Sequence, residues 1–195
     1  YKLIGGTRDD AVGEAFDKVA KILDLGYPGG PAISKEAEKV SSSKLQATSY
    51  KLPRPMLKSD DFDMSFSGLK TASLYMWNEM EKKCKSEAEK TELKQQIAYE
   101  FQEAVVEVLV TKTIKAAKEY NAKSIMLGGG VSANSRLREA LNIAAIADGL
   151  ELSVPEMKLT GDNAAMIGMA AYYHIQNNDF IDPFELRADP QWELV

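Results

Sequence analysis

Apolar residues recur along this chain with two periods, and the alternation between them sets an order of elements. Within "DDAVGEAFDKVAKILDL", Val12, Phe16, Val19, Ala20 and Leu23 fall three or four residues apart, on one face of an amphipathic helix. Asp9 or Asp10 stands where an N-cap acceptor belongs. "GYPGGP" ends that helix: Gly26 suits the left-handed residue past the last turn, and Pro28 cannot continue it. "PAISKEAEKV" reads as a short second helix with Pro31 in its first position. Residues 41–61 read as loop. A helix is predicted from about Leu69 to Glu81, and one long helix, or two in series, over 86–120. There Ile97, Phe101, Val105, Val108 and Leu109 form the apolar stripe. "YKLIGGT" reads as the end of a strand and "AKSIML" as a buried strand. A helix over Asn134–Ala147, a second strand in "LELSVPE" and a helix over roughly Asp162–Gln176 follow.

The order strand, Gly loop, helix, strand, loop, helix predicts an α/β fold with parallel strands joined by right-handed crossovers. The stretch of about 62–120 has no strand pattern and reads as a helical insertion. In such sheets ligands sit beyond the carboxyl ends of the strands. Two segments open there, "GGGVSAN" and "KLTGDNAA".

The chain has 195 residues, 45% of them hydrophobic, which fits one domain or one lobe of a larger protein. Mean hydropathy is −0.29, and no apolar run approaches the roughly 20 residues a membrane span needs. The first residues lack the basic stretch, apolar core and small-residue site of a secretory leader, and they lack Met, so a piece of a longer protein is expected. One cysteine, Cys84, forms no internal disulfide and favours a reducing, cytoplasmic setting. It sits among charges without a thiolate-activating partner and reads as an ordinary surface thiol. The single His174 excludes a His-rich metal site and a Ser–His–Asp triad within this chain. A net charge of −5 argues against a globally basic nucleic-acid binder. Local basic segments remain: Lys51, Arg54 and Lys58 in "KLPRPMLK", and the arginines of "NSRLRE".

Four clusters carry candidate chemistry. Gly128, Gly129 and Gly130 have no Cβ, so a ligand can reach the backbone, and Asn134 stands at the N-cap of the helix behind them. A nucleotide edge or phosphate suits that place; so does an ordinary tight turn with a cap. The loop has no GK[ST] after its glycines and is no P-loop. Asp162 opens the next helix, either as its cap or as a carboxylate for a metal ion or ribose hydroxyl; one carboxylate does not suffice for a metal. Glu14, Asp17 and Lys18 share about one helical turn, and Gly29 and Gly30 offer bare backbone nearby. This is a solvated helix face or a grip for a ribose diol and base. In "SFSGLKTA", Ser65 and Ser67 are candidate caps and Lys70 a candidate phosphate contact.

Taken in order, "DDAVGEAFDKVAKILDLGYPGGP", "MSFSGLKTA", "GGGVSANSRLR" and "GDNAAMIG" resemble the TsaD family, the tRNA N6-adenosine threonylcarbamoyltransferases once called O-sialoglycoprotein endopeptidases. The resemblance runs from Tyr1 to the "RADPQWEL" tail. It implies the actin/sugar-kinase/Hsp70-like (ASKHA) fold, two related α/β lobes around a nucleotide cleft. It implies transfer of a threonylcarbamoyl group from threonylcarbamoyl-AMP to N6 of adenosine 37 in tRNAs reading ANN codons, in the cytoplasm. It implies that Asp17, Gly30 and Asn134 contact the adenylate and that Asp162 is one ligand of a divalent metal, iron or zinc. Partners implied are tRNA, a TsaB-like paralogue and, in bacteria, a TsaE-like ATPase. The family's HxxxH lobe and a Ser-Gly-Gly-His loop have no counterpart here, so residues 1–195 resemble the C-terminal lobe without its first strand or strands. Such a chain is expected to lack transferase activity and bound metal, to keep weak adenine-nucleotide affinity, and to offer an open sheet edge for homodimerisation. Ser34 stands where many members carry an acid, and Gly161 where Thr is common. The competing expectation is a non-catalytic nucleotide-binding or interaction module of the same fold. The old protease label finds no HExxH here.

Overall fold

In a computed structural model that describes residues 1–40 and 50–188, the helical periodicities become helices close to where their spacing puts them. Helix α1 spans Val12–Ile22, α2 Gly29–Ala37 and α3 Ser67–Glu81. Helix α4 is continuous over Glu87–Glu119, so the stretch 86–120 is one helix. Its 33 residues reach about 50 Å. That length lets one helix serve two apolar clusters. The larger cluster joins α1, α2, α3 and the first half of α4 around Phe16, Ile33, Leu69, Trp77, Ile97 and Phe101. Phe16 meets Phe101 edge-on, with ring centroids 5.1 Å apart. The helices of the stretch of about 62–120 contribute Leu69, Trp77, Ile97 and Phe101 to this cluster. The smaller cluster packs the end of α4, at Ala117, against Ile125 and Leu141.

Strands β1, Ser124–Met126, and β2, Glu151–Ser153, pair in parallel with Ser124 opposite Glu151. Helix α5, Ser135–Ala147, makes the crossover between them. The strand "AKSIML" is buried only at Ile125, and Met126 is 84% exposed. A buried strand was expected there; among the described residues the sheet has two strands, which leaves it half-covered. The strand expected in "YKLIGGT" reduces to a parallel bridge of Thr7 with Met64. Met64 N donates to Gly6 O at 2.8 Å, and Arg8 N to Met64 O at 2.9 Å.

Several helix ends differ from their sequence expectation. Ala11, not Asp9 or Asp10, precedes α1, without a side-chain cap. Asp10 pairs with Lys18 at 2.8 Å. Asp9 instead caps α3 from across the chain. One oxygen accepts from the Phe66 and Ser67 amides at 2.8 and 3.2 Å, the other from the Ser65 and Ser67 hydroxyls at 2.5 and 2.6 Å. Ser65 and Ser67 are therefore donors to a cap and not caps. The left-handed residue after α1 is Asp24 (φ 53°), with Gly26 (φ 93°) two residues later. Pro31 is the third residue of α2, still within the first turn, where amides have no intrahelical partner.

Helix α6, Ala164–Gln176, buries none of its residues although it is rich in apolar side chains. Met166, Ile167, Met169, Tyr172, Tyr173 and Ile175 are all exposed. Among the described residues no helix is long and apolar enough to cross a membrane.

Candidate functional site

Two glycine-bearing turns face each other across a cavity of about 490 Å³. One wall comes from α1 and α2, with Gly13, Asp17, Gly30, Pro31 and Ser34. The other comes from the 3₁₀ turn Gly130–Ala133 and the cap of α5, with Gly130, Val131 and Asn134; Met157 closes one side. The fold therefore brings together Asp17, Gly30, Gly130 and Asn134, which lie more than a hundred residues apart at the extremes. Gly29 lies beneath this wall, and Gly128 and Gly129 lead into the opposite one. Asp162 does not line the cavity.

The α1–α2 wall depends on a backbone contact. Pro28 precedes α2 and offers no side-chain cap. Asp17 supplies it from α1: its Oδ1 accepts from Gly29 N at 2.7 Å. A Cβ on Gly29 would lie 2.5 Å from Asp17 Cα and 2.6 Å from Phe16 O, so only glycine lets the two helices approach this closely. The second Asp17 oxygen is left over from this cap, beside the cavity. A carboxylate with one oxygen fixed has its other oxygen oriented without further loss of side-chain freedom.

The opposite wall depends on Asn134, which plays the cap that its position predicts. Its Oδ1 accepts from Leu137 N at 2.9 Å. Its Nδ2 donates to Ser34 Oγ at 3.0 Å and to Gln102 Oε1 at 2.9 Å. Both amide hydrogens are thus used in holding the walls together. Gly129, at φ 78°, needs the glycine backbone, while a Cβ at Gly128 or Gly130 would meet open space.

Sequence reasoning missed the roles of two residues in this architecture. Gln102 is 5% exposed, on the buried face of α4. Its signal was available: a polar residue inside the apolar stripe of "YEFQEAVV". Arg138 donates through Nε to Ser132 O and through Nη2 to Pro155 O at 2.8 Å. It staples the turn after β1 to the segment after β2. No sequence signal separates it from a surface arginine.

The other candidates are placed as follows. Asn163, not Asp162, caps α6, accepting from Met166 N at 3.1 Å. Asp162 is exposed. Among the described residues no three His, Cys, Asp or Glu side chains converge on a point that would hold a metal ion. Asp162 can supply one ligand to an ion, and a single exposed carboxylate does not by itself make a metal site. Arg54 pairs with Glu100 and Glu107, and Arg136 with Glu103 and Glu139. With Arg138 held by carbonyls, the arginines of both basic segments are engaged internally, and Lys51 and Lys58 remain exposed. His174 is exposed and paired with Asp179 at 2.6 Å. Cys84 is half-buried and free.

Residues 1–169 match a family model described as TsaD, tRNA N6-adenosine threonylcarbamoyltransferase. Curated relatives carry the same name. One from Syntrophomonas wolfei is 47% identical over 189 residues, covering 97% of this chain and 52% of its own length. One from Enterococcus faecalis is 44% identical over 192 residues, with 97% and 52% covered. One from Desulfotalea psychrophila is 49% identical over 173 residues, with 89% and 48% covered. The chain spans about half the length of these relatives.

Proposed function

The chain belongs to the TsaD family, and we propose on that premise that residues 1–195 form the C-terminal lobe of a two-lobe ASKHA enzyme whose cavity between α2 and the Gly130–Asn134 turn binds the adenylate of threonylcarbamoyl-AMP. The observation that carries this reading is the convergence of Asp17, Gly30, Gly130 and Asn134 on one cavity. The free Asp17 oxygen accepts from a ribose hydroxyl. The bare Gly30 and Gly130 backbones admit the sugar–phosphate edge. Val131, Pro31 and Met157 offer apolar contact to the adenine ring. Asn134 acts through the wall it builds.

The whole protein then transfers the threonylcarbamoyl group to N6 of adenosine 37 in tRNAs reading ANN codons, with tRNA as substrate and TsaB-like and TsaE-like proteins as bacterial partners. The atoms balance as an acyl transfer: the exocyclic amine forms the new C–N bond and AMP leaves. Metal ligands besides Asp162 would come from the other lobe, where the bound ion, iron or zinc, would polarise the carbamate or neutralise phosphate. The site of action is cytoplasmic.

Two features support a second lobe and a further strand. The exposed apolar side chains of α6 form a surface of the kind that is covered in an assembly. A second cavity, of about 310 Å³, lies between residues Ile4 and Gly5 on one side and Ser124 and Ile125 on the other. Gly6 O and Arg8 N turn toward Met64, so the backbone groups of Gly5 and Thr7 turn away from it. The outer edge of β1 lies across the same gap. Two strand edges on either side of an apolar slot fit one added strand; a second copy of the chain is the other occupant of that edge.

Titrating the chain with AMP by calorimetry tests the reading. Wild type is expected to bind, and Asp17→Ala to weaken binding at least about tenfold through loss of a charged acceptor. No heat from wild type at millimolar AMP would sink the adenylate site. In an assay with threonylcarbamoyl-AMP and tRNA, the chain alone is expected to be inactive; transfer by it would overturn the lobe assignment. AMP binding that persists when the other lobe is supplied, still without transfer, would favour the non-catalytic module.

A further inference from the structure

We infer that Gln102 is a positioning residue of the nucleotide cavity, holding the Asn134 amide and the Ser34 hydroxyl and so setting the spacing between its two walls. This rests on reading the cavity as the adenylate site. Three polar groups from three elements close a triangle. Ser34 Oγ on α2 donates to Gln102 Oε1 on α4 at 2.9 Å. Asn134 Nδ2, at the cap of α5, donates to that same oxygen at 2.9 Å and to Ser34 Oγ at 3.0 Å. A buried amide among Phe101, Ala104 and Val105 is costly unless its bonds are made, and here one oxygen takes two donors. The bonds it makes lead to the cavity: Ser34 and Asn134 both line it. Without this acceptor, the Ser34 hydroxyl and one of the two Asn134 amide hydrogens lose their partner at the seam where α2 meets the α5 cap.

The type of side chain at position 102 follows from what it must face. With Ser34, position 102 needs only to accept, which a carboxylate also does, at the added cost of desolvating its charge. With an acid at position 34, position 102 must donate to it, and an amide does so by turning its Nε2 to the carboxylate, whereas a glutamate repels it. Glutamine therefore serves either neighbour, and glutamate only the present one.

The test uses this chain and its variants Gln102→Leu and Gln102→Glu. It reads AMP affinity by calorimetry, the melting temperature, and the side-chain amide resonances of Asn134. Gln102→Leu is expected to weaken AMP about tenfold through loss of two hydrogen bonds between the walls, and to shift the Asn134 resonances. Gln102→Glu is expected to keep the resonances and stay within about threefold of wild type. A lowered melting temperature with AMP affinity and Asn134 resonances unchanged would make Gln102 a core residue only and overturn the inference. If wild type itself fails to bind AMP, the adenylate reading falls. The Asn134 resonances then decide alone: shifted in Gln102→Leu and kept in Gln102→Glu supports the brace, and unmoved in both overturns it. If Gln102→Leu does not fold, Ser34→Asp is compared with Ser34→Asp/Gln102→Glu. The double variant is expected to bind AMP about tenfold more weakly than the single one, and equal affinities would overturn the inference.

Discussion

Gly29→Ala is expected to destabilise the chain by about 3 kcal/mol, the upper range for forcing a methyl into a packed contact. The added Cβ would sit 2.5 Å from Asp17 Cα and 2.7 Å from Asp17 N. Both are backbone atoms of α1, so no side-chain rotation relieves the clash, and α2 must move away. That movement also breaks the bond from Gly29 N to Asp17 Oδ1. AMP binding is therefore expected to fall together with stability. Gly30→Ala is the control. A Cβ there meets nothing within 4 Å, so its melting curve is expected to match wild type within about 0.5 kcal/mol. Its methyl nonetheless enters the cavity wall, and AMP affinity alone is expected to drop. Urea denaturation of both variants with calorimetry on the same samples checks this. Equal stabilities for the two variants would mean that the α1–α2 contact is looser than its geometry.

Asp9→Ala is expected to destabilise the chain by about 2 kcal/mol near neutral pH, the upper end of measured cap losses. The carboxylate accepts four hydrogen bonds from residues 65–67 and joins the turn before α1 to the start of α3. Its loss leaves two amides and two hydroxyls without that acceptor. The effect is expected to depend on pH. Burial alone would raise the Asp9 pKa. Hydrogen bonds from the Ser65 and Ser67 hydroxyls and from the Phe66 and Ser67 amides outweigh it and hold the group well below the usual carboxylate range. A depressed folded pKa stabilises above the unfolded value of about 3.9, and that contribution fades as pH falls toward the folded value. The difference between wild type and Asp9→Ala should thus be full at pH 7 and shrink below about pH 4. Because Asp9 is largely exposed, its pH-dependent part is small beside the lost cap itself. A difference that stays constant from pH 7 to pH 3 would mean that the charge on Asp9 contributes nothing.

The elements that were legible in the sequence are those whose signal is local. Val12, Phe16, Val19, Ala20 and Leu23 predicted α1, and all but the half-buried Val12 are buried. The stripe of Ile97, Phe101, Val105, Val108 and Leu109 predicted α4; the first four are buried and Leu109 is half-buried. The role of Asn134 as a cap was legible because the cap bond spans three residues. The role of Asp9 was not, because its partners lie more than fifty residues away. For the same reason the cap of α2 from Asp17 carried no signal in the neighbourhood of Pro28. Asp162 and Asn163 offered two adjacent acceptors at one helix start, and spacing cannot choose between neighbours.

The sequence by itself determined the helices, the parallel pair of strands, the glycine turns and the family. Each of these is written in residues close together: a periodicity, a run without Cβ atoms, a motif. The family resemblance already implied one site for Asp17, Gly30 and Asn134; the tertiary structure alone decided how the two walls meet, that Gln102 joins them, and that among the described residues α6 presents an uncovered apolar surface. These are relations between elements. They depend on how α1, α2 and α4 pack against one another, and packing is set by the summed shape of many side chains.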